Sequence, residues 1–171
     1  MKIEVIYGNI IKQPDAQAIV NSANANLRFG SGVAGAIHGA AGDELEDYCE
    51  QFAPLALGAA IITPAFKLPN QFVIHTRAAN YVTTDNAEEV LAHAVESMLK
   101  VAIENNVVSI AMPAIGLGMF KMPPLLGARI TAQVLTRDKW KTSCIKWVRI
   151  CLADQALIPL YESALAAAEH K

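Results

Sequence analysis

Val20-Asn21-Ser22-Ala23-Asn24, followed by Gly30-Ser31-Gly32-Val33-Ala34-Gly35-Ala36-Ile37, is the stretch on which the reading of this chain turns. Residues Ala18 to Ala23, with Ile19 and Val20, read as a short buried strand. Val33 to Ala41 reads as a helix whose small residues permit close packing on a sheet. Between them, glycine lets backbone N–H groups approach a ligand closely and adopt conformations that other residues avoid. A loop of this kind opening a helix is suited to holding phosphate. A second unit repeats the pattern: Ser109-Ile110-Ala111-Met112-Pro113-Ala114 runs into Ile115-Gly116-Leu117-Gly118. Two such loops in one small domain suggest a clamp on a diphosphate.

Outward from these two units, strand and helix signals alternate. Ile3–Tyr7, Ala59–Thr63, Phe72–Thr76, Val107–Pro113 and Lys146–Leu152 read as further strands. Asp43 is placed to cap a helix toward Phe52, with Glu46 completing a capping-box pattern. Residues 86–105 form the clearest helix, with Val90, Leu91, Ala94, Val95, Met98, Leu99 and Ala102 at spacings of three and four. Pro123 and Pro124 open a helix running to about Leu135. Gln155–Glu169 reads as a terminal helix, with Pro159 marking a later possible start. The alternation implies an α/β sheet covered on both faces. Ligands of such sheets bind at the carboxyl ends of the strands, at a switch point.

The chain has 171 residues, the size of one domain spanning 1–171. Hydrophobic residues make up 53% and charged residues 18%, which supplies a core and argues against disorder. The formal net charge of −2 argues against general nucleic-acid binding, which needs clustered Lys and Arg. Arg137, Lys139, Lys141 and Lys146 form a local basic run, read as a solvated turn before the last strand. The three cysteines, Cys49, Cys144 and Cys151, contain no C-x-x-C pair, so a disulfide framework or zinc ribbon is not expected. The four histidines and three cysteines show no ligand spacing, and neither metal nor cofactor is expected. Charge interrupts the N-terminal apolar run, and no stretch is long enough to span a membrane. A cytoplasmic monomer is the expectation.

Gly30 to Gly35 matches G-x-G-x-x-G literally, yet the context counts against a dinucleotide fold. Residues 24–29 separate the strand from Gly30, whereas a Rossmann turn follows its strand directly. No second strand ending in an acid follows at the expected ~20 residues. His75, within an apolar strand, reads as a satisfied core histidine. His38 reads as a partly exposed helix residue.

At these residues the chain resembles macro domains. Gly8-Asn9-Ile10 is similar to their N-terminal Gly-Asp-Ile element, and Val20 to Asn24 with Gly30 to Ile37 to their first ligand loop. Phe72 to Thr76 resembles their central strand, and Pro113-Ala114-Ile115-Gly116-Leu117-Gly118-Met119-Phe120 their second phosphate loop. The resemblance implies a three-layer α/β/α fold with a mixed, mostly parallel sheet. It also implies ADP-ribose, free or on ADP-ribosylated proteins, as the partner. Ser31, Gly32, Val33 and Ala34 would meet one phosphate; Ile115, Gly116, Leu117, Gly118 and Met119 the other. Phe120 would pack on the distal ribose, Asn24 would hydrogen-bond its hydroxyl and act as the catalytic residue, and Asn9 and Ile10 would lie at the adenine. Three positions depart from the family pattern: Asn9 for the usual Asp, Ala34 where one hydrolytic subfamily has an acid, and Ala153 where many relatives have an aromatic. The implied activity is hydrolysis of ADP-ribosyl esters by a positioned water; the alternative is a reader module without turnover.

Overall fold

The computed structural model describes residues 1–170. Six strands form one sheet: β1 (Lys2–Tyr7), β2 (Ala18–Ser22), β3 (Ala60–Pro64), β4 (Phe72–Thr76), β5 (Ser109–Met112) and β6 (Trp147–Leu152). Their spatial order is β1-β6-β5-β2-β4-β3. Every neighbouring pair is parallel except β3 with β4, so the sheet is mixed but mostly parallel, as expected.

Helices cover both faces. α1 (Gly32–Ala41) and the short α2 (Asp43–Cys49) pack on one face through Ile37, Ala41, Leu45 and Cys49 against Ile19, Val73 and Ala111. α3 (Ala87–Glu104), α4 (Pro124–Leu135) and α5 (Ile158–Glu169) cover the other, over Val20, Ile74, Ile110 and Val148. Strands β2 and β4 send alternate side chains to the two faces, which is why Ile19 and Val20 belong to different cores. The apolar stripe read from residues 86–105 is the buried face of α3, and Thr76 Oγ1 donates to Ala94 O at 2.9 Å, tying that helix to the sheet. A Leu99→Ala change at this fully buried position would cost about 2–5 kcal/mol.

Element bounds differ from the sequence reading by a residue or two at most places. Two differences have physical reasons. The strand expected from Val107 is paired only from Ser109, because the Val107 N–H closes the end of α3 on Ala102 O at 2.9 Å. Asp43 is the first residue of α2 and caps nothing; Gly42, at φ 90°, precedes it.

The arrangement has one consequence for the site. β2 and β5 are parallel neighbours. After β2 the chain leaves toward α1 on one face; after β5 it leaves toward α4 on the other. Two loops that part at the carboxyl edge of adjacent strands open a crevice between them, the switch point of an α/β sheet.

Candidate functional site

The first wall of the crevice is the segment from Asn24 to the start of α1. Ser31 occupies the N-cap position, with no side-chain cap bond and no acid in the first turn. The first intrahelical bond is Gly35 N–H to Ser31 O at 3.3 Å, and the amides of Gly32, Val33 and Ala34 have no partner among the described residues. Such orphan amides, at the positive end of a helix dipole, favour an anion. Gly32 has φ +59°, and a Cβ there would meet nothing within 4 Å, so its left-handed backbone and not crowding requires glycine. Gly35 is different: a Cβ on it would overlap the Gly30 carbonyl, so its bareness lets the loop fold back onto the helix.

The second wall runs from β5 to the start of α4. Pro113 to Leu117 leave the sheet, and the amides of Ile115, Gly116 and Leu117 make no hydrogen bond within the described residues. Met122 N–H closes the loop on Gly116 O at 2.9 Å, and Tyr81 N–H donates to Phe120 O at 2.7 Å. Gly127 of α4 packs directly on this loop, since a Cβ there would stand 2.6 Å from Leu117 Cδ1.

The walls meet. Ser31 Oγ lies 2.6 Å from Met119 Sδ, across 88 residues of sequence. The residues singled out in the sequence are thereby gathered at one edge of the sheet, with Ser31, Gly32, Gly118 and Met119 exposed and Phe120 half-buried. A separate recess, lined by Met1, Ile3, Leu135, Arg137, Asp138, Trp140, Lys141 and Glu169, opens at the other end of the strands. Its lining mixes charges and has no converging amides. The basic run beside it is neutralised in place: Arg137 and Lys139 pair with Glu96, and Lys141 with Asp138.

Asn24 and Asn9 begin the flanks. Asn24 Nδ2 donates to Arg28 O at 2.7 Å and Oδ1 accepts from Arg28 N–H at 2.9 Å, so the side chain first of all closes its own loop. One amide hydrogen and one oxygen lone pair are left over. Asn9 follows β1, where Gly8 N–H donates to Leu152 O at 2.9 Å; this sets Asn9 and Ile10 beside Ala153, which is exposed.

Two buried histidines, His38 of α1 and His75 of β4, lie near each other. His75 on β4 is fully buried. Asn21 Nδ2 lies 3.0 Å from its Nδ1, and an amide nitrogen only donates, so Nδ1 is the acceptor and Nε2 carries the proton. Nε2–H then donates to Thr63 Oγ1 at 3.0 Å, and Thr63 Oγ1 donates to Pro64 O at 3.1 Å. Burial, with His38 nearby, pushes the His75 pKa down to about 3. His75 is the satisfied core histidine the sequence suggested. His38 is not the partly exposed residue expected: it is buried, with neither ring nitrogen hydrogen-bonded, and desolvation lowers its pKa. Its ring lies 6.3 Å from the rings of both Phe29 and His75. Cys49 beside His75 is likewise inert, its thiol pushed up to about 11 by burial.

Sequence reasoning missed the fastening of the first wall. Glu46, expected in a capping box, instead accepts from Phe29 N–H at 2.7 Å and ties the loop to α2. Local spacing signals only that Glu46 sits near a helix start; the bond needs the loop to fold back over α1.

With this geometry in hand, comparisons with known proteins are direct. The family model described as Macro domain matches residues 20–131. An uncharacterized protein of Fusobacterium nucleatum is 42% identical over 151 residues, covering 85% of this chain and 86% of that protein. An O-acetyl-ADP-ribose deacetylase of Salmonella gallinarum is 40% identical over 169 residues, covering 96% of this chain and 94% of the relative. Among solved structures, the Oceanobacillus iheyensis macrodomain with ADP superposes with a TM-score of 0.90 at 32% identity, over 96% of this chain and 90% of the other. The Trypanosoma brucei macrodomain in complex with ADP-ribose gives 0.85 at 25% identity, over 95% of this chain and 68% of the other.

Proposed function

Because the chain belongs to the macro domain family, we propose that its crevice binds ADP-ribose and hydrolyses ADP-ribosyl esters, on O-acyl-ADP-ribose or on mono-ADP-ribosylated proteins. What supports this reading is that two sets of backbone amides, residues 32–34 and 115–117, make no hydrogen bond among the described residues, and that the loops carrying them touch at Ser31 and Met119. A diphosphate is the group that two adjacent anion sites suit. Relatives named for O-acetyl-ADP-ribose deacetylation, and related structures with ADP or ADP-ribose bound, support the choice of ligand and reaction.

In this reading the amides of Ser31, Gly32 and Val33, with Ala34 behind them, take one phosphate, and those of Ile115 to Met119 the other. Phe120, whose backbone is anchored by Tyr81, packs on the distal ribose. The remaining N–H and lone pair of Asn24 engage a ribose hydroxyl and a water held against a phosphate. That water adds to the acyl carbon; the C–O bond to the ribose breaks; the ribose oxygen leaves as the alcohol, taking a proton, and the acid is released. No strong base is needed if the water and ester are held in a reactive pose, which effective molarities make worth up to about 7–11 kcal/mol. The fixed amide dipoles add electrostatic stabilisation as charge develops.

The absence of an acid at Ala34, and the diversion of His38 and His75 into neutral buried positions, favour the second reading of a binding module without turnover. Two measurements separate the cases. Calorimetry with ADP-ribose, AMP and NAD tests the ligand: equal binding of AMP and ADP-ribose refutes the ribose roles of Asn24 and Phe120. Release of label from a glutamate-linked ADP-ribosyl protein tests turnover. Release that slows strongly in Asn24→Ala supports the enzyme; an inert wild type with intact ADP-ribose affinity leaves the reader.

A further inference from the structure

The two edges of the sheet are guarded differently. β1 carries Lys2 and Glu4, and charge on an edge strand discourages pairing with another chain. β3, the other edge, reads Ala60-Ile61-Ile62-Thr63-Pro64 and has no charged side chain. Its register with β4 decides which of its backbone groups are used. Arg77 N–H donates to Ala59 O at 3.1 Å, and Ala65 N–H donates to Gln71 O at 3.3 Å. Bonded positions alternate in an antiparallel pair, so Ile61 and Thr63 bond to β4 while Ala60 and Ile62 turn their N–H and C=O groups outward. Among the described residues nothing pairs with those outward groups.

An aromatic cluster lies at the Pro64 end of this strand. α2 packs on β3, and the ring of Tyr48 lies 5.9 Å from that of Phe52 and 5.9 Å, edge-on, from that of Phe66, two residues beyond β3. Tyr48 is 37% exposed and Phe52 38%. Phe66 has φ 52°, a left-handed backbone that a bulky side chain rarely adopts. Glu46 holds Phe29 on the opposite flank of α2, so the aromatic flank is turned away from the first loop. The helix is also strongly acidic. Asp43, Glu44, Asp47 and Glu50 are exposed and make no ion pair among the described residues. Glu44 sits one turn before Tyr48, on the same flank. Lys67, packed over the Gly42 backbone, pairs with none of these acids.

We propose that β3 takes up, as an added strand, an extended basic segment of a partner protein in which Lys or Arg alternates with apolar residues. The outward groups of Ala60 and Ile62 bond its backbone. Side chains of a strand alternate between the two faces of a sheet. On the α2 face, the aliphatic stems of Lys or Arg lie on the rings, and their charged heads reach Glu44 and Asp47. On the other face, apolar side chains extend the half-buried Ala60 and Ile62. A second copy of this chain does not suit the edge. Pairing β3 with itself about a two-fold axis normal to the sheet sets two α2 helices on one face, acids toward acids. The same charges that keep two copies apart therefore select a cationic strand. This surface is separate from the crevice and does not depend on the ligand proposed for it.

The test is fluorescence anisotropy on the full chain with a labelled decapeptide of alternating Lys and Val. Wild type should bind it. Ala60→Pro removes an N–H that β4 does not use, so the sheet persists while the edge loses a donor. The same peptide N-methylated throughout keeps its charge and side chains but has no N–H to donate. Each change should weaken binding about tenfold. A loss of about fivefold or more in both supports the added strand; a smaller loss in either overturns it, as does a wild type that does not bind. If Ala60→Pro melts early, the methylated peptide on wild type decides alone. Glu44→Gln with Asp47→Asn, or a peptide of alternating Glu and Val, should weaken binding by roughly threefold or more, and a smaller effect overturns the basic occupant. Sedimentation closes the alternative: a wild-type dimer that Ala60→Pro dissolves would give the edge to a second copy and overturn the proposal. ADP-ribose binding is measured separately and stands or falls on its own.

Discussion

Two polar regions of the molecule solve opposite problems. At the two loops, polar groups of the main chain are left without hydrogen-bond partners among the described residues: the amides of 32–34 and 115–117. Beneath α1 and α2, side chains that look catalytic by type, His75, Asn21, Thr63 and Cys49, are joined to one another and sealed from water. The side chains hold the sheet to its helices; the backbone is free to meet a ligand. Residue type draws attention to the buried cluster; unpartnered backbone N–H groups draw it to the two loops of the proposed site.

The comparison breaks most sharply if backbone access does not matter. Gly32→Glu adds bulk and negative charge in front of the orphan amides, at a position where nothing crowds a Cβ. ADP-ribose affinity should fall at least a hundredfold, about 3 kcal/mol or more, with a near-native melting curve apart from the cost of φ +59°. Gly116→Glu should abolish binding too, but its Cβ stands 3.3 Å from Leu91 and stability falls with it, so Gly32 is the cleaner probe. Retained binding in Gly32→Glu would contradict the clamp.

The opposite experiment removes the buried network. His75→Ala leaves a cavity and strips partners from Asn21 and Thr63, which should cost about 2–3 kcal/mol in urea unfolding. The folded fraction should bind ADP-ribose within twofold of wild type. A large affinity loss at full folding would give the buried cluster a functional role that its burial denies.

The same region sets a pH dependence. His75 is neutral when folded down to about pH 3, whereas an unfolded histidine gains its proton near 6.5. The unfolded state therefore binds more protons below pH 6.5, and stability falls as pH drops from 6.5 toward 3, by up to about 1.4 kcal/mol per unit. His38, also lowered, acts in the same direction. Between pH 6.5 and 5 the paired carboxylates Asp15 and Glu96, both lowered from ordinary values near 4, contribute little, so melts in that window report the histidines. A flat profile there would mean that the network admits water and charge.

Much of this was legible in the sequence, for a reason tied to distance along the chain. β2, β4 and β5 announce themselves as short apolar runs, and the 3.6-residue stripe from Val90 to Ala102 identifies α3 and its buried face. The two glycine loops are equally local. What lay beyond reach were contacts made by folding back. Examples are Glu46 on Phe29 N–H, Phe29 beside His38, and Gly127 against Leu117. Glu46 satisfied a local rule that tertiary structure overrode. The basic run was read as a solvated turn, while the pairing of Arg137 and Lys139 with Glu96 of α3, far away in the sequence, was not foreseen.

The finest cut of the comparison is at Ser31 itself, where backbone and side chain of one residue serve different ends. Its amide belongs to the proposed phosphate site; its hydroxyl touches Met119 and links the two walls. If the main chain carries the binding, Ser31→Ala should change ADP-ribose affinity by less than threefold, below about 0.7 kcal/mol, because the amide and the helix start are retained. Proline at the same position would remove the N–H while suiting the turn before a helix, and should weaken binding more than alanine does. Calorimetry on the two variants orders the contributions. If alanine costs tenfold and proline no more, the hydroxyl latch and not the amide holds the ligand, and the division between a structural side chain and a functional backbone fails at the residue where both can be measured.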